Sequence, residues 1–307
     1  MTYHKLFLIW FVVIQTLVGF VLGTTYTVDD DGHGNFVRIQ DAIDHSAPHD
    51  TILVFSGYYP EHVIVNKSDL TLRGFSLAPT IQNSVETAYG YPIIDGEGAG
   101  TVLTIVSANT IVEGFVVQES GLGYYDAGIK VLSNNNILRH LTVFNNSQGI
   151  IIQQSAQNNV KNIQILGGNF HGILLMSNAS NNTISSNYFH DNLAGILIYN
   201  SCQNNLINTN IFDWNRHEGI RILYTYPPSN ANTIYHNMFL HNNAGQISQC
   251  YDENVNSWDL GLLGGNYWSD YTGTDENGDG FGDVPYTISG GNNRDNYPLL
   301  VSLIARY

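Results

Sequence analysis

Charge is scarce in this sequence. Asp, Glu, Lys and Arg make up 12% of its 307 residues, against roughly 25% in an ordinary soluble protein. A chain so poor in charge cannot clothe long solvated helices, which draw on Glu, Lys and Ala. Positive charge is scarcest: 11 Lys and Arg stand against 26 Asp and Glu, a formal net charge of −15. That balance argues against nucleic acid as a partner, because such binding rests on cations that neutralise phosphates. The acids are dispersed among apolar residues, which excludes a coiled coil or a disordered acidic tail. Cysteine is nearly absent, and Cys202 and Cys250 are too few for a disulfide framework. With 3 Met and no His-x-His pair, nothing is built for Cu(I), which needs converging soft or imidazole ligands. Most of the histidines sit at turn positions, among them His171, His190, His236 and His241.

Long apolar runs are missing everywhere except at the start. After His4 and Lys5, Leu6 to Leu22 is apolar apart from Gln15 and Thr16, and Gly23-Thr24-Thr25 offers small residues for cleavage. Residues 1–23 therefore read as a signal peptide or a retained N-terminal anchor. The mature protein is expected outside the cytoplasm, secreted, periplasmic or at the cell surface, with that segment its sole link to a membrane.

What is abundant is asparagine, 36 by count, with 30 Gly and 19 Tyr. Much of it repeats. Gly-Ile-x-aliphatic recurs at Gly128, Gly149, Gly172, Gly195 and Gly219, with a degenerate copy at Gly245, at spacings of 21, 23, 23, 24 and 26. Alignment on these glycines brings Asn136, Asn159, Asn182, Asn205 and Asn232 together. It does the same for Val143, Leu166, Phe189, Phe212 and Phe239, and for Asn146, Asn169, Asn192, Asn215 and Asn242. Short alternating stretches bounded by Asn and Gly mean short strands joined by tight turns. A unit of this length is too short for a propeller blade and lacks the helical half of a leucine-rich repeat. One coil of a parallel β-helix fits, with equivalent residues stacked at about 4.8 Å and asparagines bonded rung to rung. At that spacing Cys202 and Cys250, two rungs apart, are expected to stay unbonded.

The repeat Asn-x-Ile-x-x-Asn-x-Phe-x-x-Asn-x-x-Gly-Ile-x-Ile resembles the right-handed parallel β-helices of the pectin-lyase-like superfamily. More specifically it resembles the group named after NosD, the periplasmic accessory protein of nitrous oxide reductase. The likeness covers roughly residues 26–300. The opening, from Asp31-Gly32-His33-Gly34 through Asp50-Thr51-Ile52 to Gly57-Tyr58-Tyr59-Pro60-Glu61, resembles the N-terminal cap of pectinesterases. The resemblance implies that Ile39 to His45 is a cap helix, and that Val63–Val65, 70–74 and 110–117 are early rungs. It does not extend to the pectinesterase or polygalacturonase catalytic motifs, which are missing. The expected fold is all-β: a single-stranded right-handed parallel β-helix over 24–250, with an N-terminal cap helix and an irregular C-terminal cap over 251–307.

A charged cluster interrupts the repeats. In register, His190 stacks on Asp213, and Asp191, Trp214 and His241 form the neighbouring column. One additional residue falls around Arg216-His217-Glu218, and Arg221 points outward between Ile220 and Ile222. The turn with Tyr224 and Tyr226 is longer than its counterparts. His190, Asp191, Asp213, His217, Glu218 and Arg221 are thus candidate catalytic groups on one lateral face. Trp214, Tyr224, Tyr226 and His241 are candidate substrate contacts. Carboxylates, imidazoles, Arg and aromatic rings in one groove suit glycosidic cleavage or proton abstraction from a uronate. The expected function is binding of polysaccharide at the cell surface, with or without hydrolase, lyase or epimerase chemistry. A solvated salt-bridge patch, a surface or adhesion scaffold, and the copper-centre maturation role of the NosD group stand as alternatives.

Beyond Asn254 the period is lost. Asp275, Asn277, Asp279 and Asp283 with Gly278 and Gly280 follow the first nine positions of an EF-hand loop, with Tyr286 where the closing Glu would fall. The expectation is a structural Ca2+ site, or an Asp-rich turn that caps the helix without metal. Segments ending in Asp-x-x-Tyr-Pro-Leu, here Asp295 to Leu299, resemble the ends of NosD-like surface proteins.

Overall fold

A computed structural model describes residues 23–76, 90–245 and 248–301. The signal or anchor expected in 1–22 lies outside the described residues. Gly-Ile-x-aliphatic, Asn-x-Ile and x-Phe-x triplets each form a strand, and the chain winds so that equivalent strands pair in parallel. Three sheets result. Sheet I runs in nine strands from Thr25–Val28 to Thr233–Tyr235, and sheet II in nine from Tyr58–Pro60 to Tyr267–Trp268. Sheet III runs in eight from Val63–Val65 to Cys250–Asp252. Crossovers between parallel strands of one sheet are right-handed in about 98% of cases, and this coil is a right-handed β-helix. The one α-helix among the described residues, Ile39–His45, buries Ile39, Ala42 and Ile43 against the first coil, as the cap resemblance implied.

Inward residues alternate with outward ones, so the core is a set of stacks. Val143, Ile165, Phe189, Phe212, Phe239 and Trp268 follow one another in register on sheet II. The last four rings are nearly parallel, with centroids 4.6, 5.0 and 4.4 Å apart, and Tyr286 closes the stack on Trp268 at 4.0 Å. The repeated glycines sit beside this stack because nothing larger fits. A Cβ on Gly195 would lie 2.4 Å from the Gly219 carbonyl and 2.5 Å from the Phe212 ring.

The register differs from the expected one in a single coil. Asn158 and Ile165, not Asn159 and Leu166, occupy the stacked positions; Asn159 begins a strand and Leu166 is half-buried. The extra residue of that coil falls in Gly167-Gly168, after the strand, so counting back from Gly172 misplaces everything before it. Gly245 is likewise no rung: it is a turn residue at φ 84, and Cys250 pairs with Ile220 in its place. Cys202 and Cys250 are both free and buried, and burial pushes the Cys202 thiol up to about 12.

Three asparagine ladders run through the later coils of the helix. One follows Asn136, Asn158, Asn182, Asn205, Asn232 and Asn256. Another follows Asn146, Asn169, Asn192, Asn215 and Asn242. A third, on the middle asparagine of the repeat, follows Asn187, Asn210, Asn237 and Asn266. Along these ladders backbone N–H and Nδ2–H groups donate to Oδ1 of the next rung, so the dipoles align and each C-terminal end presents donors. An anion completes such an end, as at a helix N-terminus. Each ladder does end on a carboxylate. Asn256 donates to Asp252, and Asn266 to Asp295. Asn242 donates to Gln249, which in turn donates to Asp270. The coil thus continues past residue 250, and the C-terminal cap is bonded to it through these acids. Burial pushes Asp295 up to about 6 against the donors that favour its ionised form.

Candidate functional site

The strands Tyr188–His190 and Ile211–Asp213 put Tyr188, His190 and Asp213 on the outer face of sheet II, because each flanks an inward Phe. Asp213 lies between two imidazoles. Its Oδ2 is 3.4 Å from Nδ1 of His190, and its Oδ1 is 3.5 Å from Nδ1 of His241. Tyr188 donates to Oδ2 at 3.2 Å, and burial together with that carboxylate pushes the phenol up to about 12. Nδ1 of His190 is buried without a hydrogen-bond partner.

The next column is the corner that ends sheet II. Asp191, Trp214 and His241 occupy it in left-handed conformations, at φ 54, 51 and 57. The Trp214 indole stacks on the His241 ring at 4.9 Å and is 55% exposed. Asp191 pairs with Arg216 at 3.2 Å. The expected stacking of His190 on Asp213, and of Asp191 with Trp214 and His241, is therefore what the chain forms.

The remaining candidates lie elsewhere, and the single lateral face divides into two. Arg221 is on sheet III and Glu218 just before its strand, around the corner from Asp213, because the Gly-Ile-x-aliphatic strand of every coil lies on that sheet, where Arg221 pairs with Leu197. Buried Glu218 accepts from Nη1 of Arg221 at 3.1 and 3.2 Å, and the guanidinium lies 4.9 Å over Tyr251. His217 is an exposed corner residue, and Tyr224 meets this cluster through its backbone N–H, which donates to Glu253 at 2.7 Å. Tyr226 is 88% exposed. In the C-terminal loop, Asp275, Asp279 and Asp283 accept backbone N–H groups, and Asn277 donates to Asp283.

His171 was not singled out for any role. Its Nδ1 lies 2.8 Å from Oε1 of Gln148, whose amide donates to the Tyr124 carbonyl at 3.0 Å. That chain fixes the proton on Nδ1 and leaves Nε2 as an acceptor. Burial first, then Arg221 and His217, bring its pKa down to about 4. Nothing in the repeat marks it, since Gln148 and His171 are unlike residues at one stacked position.

Residues 62–273 match the family model described as periplasmic copper-binding protein (NosD). No curated protein is similar to the chain. Among solved structures, an alginate lyase from Paenibacillus sp. str. FPU-7 superposes with a TM-score of 0.53 at 14% identity, covering 85% of this chain and 94% of that one. A pectin methylesterase from Aspergillus niger gives a TM-score of 0.42 at 12% identity, covering 81% and 87%. One from carrot gives 0.36 at 12% identity, covering 76% and 83%. At 14% identity the likeness to the alginate lyase is one of fold.

The copper of the family description does not fit the described residues. Both thiols are sealed in the core, and Met176 and Met238 are buried. Among the described residues, three His, Cys, Asp or Glu side chains come within ligating reach of one another only at Asp29, Asp30 and Asp31, whose hard carboxylate oxygens are the wrong donors for copper. With the family model matching more than half its length, and the β-helix that carries the match, this chain belongs to the NosD family.

Proposed function

We propose that this chain is an exported β-helix that binds polysaccharide on the corner of sheet II, with Trp214 as stacking platform. Asp191, Arg216 and Asp213 are its polar contacts. Trp214 itself carries this reading. A bulky residue in the left-handed region costs about 1–2 kcal/mol, and an indole left 55% exposed regains little of that by burial. Asparagine or glycine would serve the turn better, so the ring is kept for what it touches outside the fold. Asp213, between His190 and His241, has the groups to hold and pass a proton in glycosidic cleavage or uronate proton abstraction. Glu218 and Arg221, with Tyr224, Tyr226 and His217 nearby, extend the surface around the corner for a longer chain.

A glycan array with the mature protein tests the reading, and absence of any polysaccharide ligand would end it. Asp213→Ala should weaken binding or turnover at least about tenfold while the fold stays intact at a cost of about 1 kcal/mol, the worth of the hydrogen bond that Tyr188 loses. Equal binding in the variant would return the cluster to a solvated patch.

We further propose a Ca2+ ion at Asp275, Asn277, Asp279 and Asp283. Alternate oxygen-bearing side chains in a tight Gly-containing loop suit a hard cation, and without a closing Glu the affinity should be about 10⁻⁴–10⁻³ M. Millimolar calcium should raise the melting temperature relative to chelator, and Asp279→Ala should remove most of that gain. Superimposable wild-type curves would leave the loop an Asp-rich turn.

A further inference from the structure

At the C-terminal end of the coil lies an open pocket of about 310 Å³ lined by Asn256, Ser257, Asp259, Asn292, Arg294 and Asn296 among others. That volume is at the lower end of the roughly 300–1,000 Å³ of small-molecule sites. Its lining is unusual for its uncommitted cation. Of the six arginines among the described residues, Arg38, Arg73, Arg139, Arg216 and Arg221 each lie in an ion pair with Asp or Glu. Arg294 has no such partner among them, although the chain carries 26 Asp and Glu. The carboxylate in the lining is already engaged: Asp259 accepts from the Gly261 N–H, and from both the N–H and Nδ2 of Asn296. Around it stand side-chain amides and a hydroxyl, groups that both donate and accept.

We propose that this cavity binds a hydroxylated carboxylate of about monosaccharide size, its carboxylate on the Arg294 guanidinium and its hydroxyls on the surrounding amides. A guanidinium fork matches a carboxylate in two parallel hydrogen bonds, which an ammonium cannot do. Asn292 and Arg294 are exposed, so the mouth is open. The site is built on the last coil and the cap, and it does not depend on the corner of sheet II.

Calorimetric titration of the full chain with glucuronate, glucose and acetate tests it. Glucuronate should bind at least about tenfold more tightly than either comparator, because only it offers both the charge-assisted pair and the hydroxyls. Arg294→Gln should erase that advantage and Arg294→Lys should keep part of it. Both should melt as wild type does, since Arg294 pairs with Thr287 through its backbone. Trp214→Gly should leave glucuronate binding unchanged, which separates this site from the lateral one. Glucose or acetate binding as tightly as glucuronate, an unaffected Arg294→Gln variant, or no glucuronate binding at tens of millimolar would each overturn the proposal.

Discussion

Phe212→Ala should lower unfolding stability by about 3–5 kcal/mol, the cost of removing a buried aromatic ring from a site that cannot collapse. The ring is fully buried between Phe189 at 4.6 Å and Phe239 at 5.0 Å. Those neighbours cannot close the gap, because the backbone spacing of the rungs holds them apart. Stacked rings gain roughly a further 0.5–1.5 kcal/mol per pair, and this substitution breaks two pairs at once. The urea midpoint should fall markedly. An unchanged midpoint would mean that Phe212 is not in the core and that the register is wrong.

Asn210→Asp should be as damaging at neutral pH and, unlike the cavity, should heal in acid. Oδ1 of Asn210 accepts from N and Nδ2 of Asn187, and a carboxylate would preserve that. Nδ2 donates to the Ile184 carbonyl and to Oδ1 of Asn237, and there a carboxylate would set oxygen against oxygen. An uncompensated buried charge costs about 3–5 kcal/mol. Burial raises the folded pKa of the new group above its unfolded value of about 3.9, so the loss is full above the folded pKa and recedes as pH falls through it. Melting at pH 7.5 and pH 4.5, with exposed Asn181→Asp as control, checks both magnitude and direction. A variant equally stable at both pH values would deny the ladder its donors.

The fold was legible because stacking repeats the same demand in every coil. Gly195-Ile196-Leu197-Ile198 shows which residues face inward, and Phe189, His190, Phe212 and Asp213 follow from it by register alone. Two kinds of feature escaped. Where a coil gains a residue, the sequence does not say on which side of the strand it falls, which shifts Asn158 and Ile165 by one; Glu218 and Arg221, expected on the face of Asp213, go instead with the Gly-Ile-x-aliphatic strand to sheet III. The acids that end the ladders, and the lone Arg294, depend on how the cap folds back, which no repeat encodes.

The central claim, that the corner of sheet II is kept for a ligand and not for the fold, meets its most direct test in Trp214→Gly. Glycine adopts φ 51 without strain, and the roughly 1–2 kcal/mol regained there is offset by the entropy that glycine adds to the unfolded chain and by the lost stack on His241, so the variant should melt within about 1 kcal/mol of wild type. Titrated with the polysaccharide that wild type retains on the array, it should bind at least about tenfold more weakly, as expected for a lost aromatic platform. A variant that binds as wild type does, or that loses several kcal/mol of stability, would show that Trp214 serves the fold and would contradict the account.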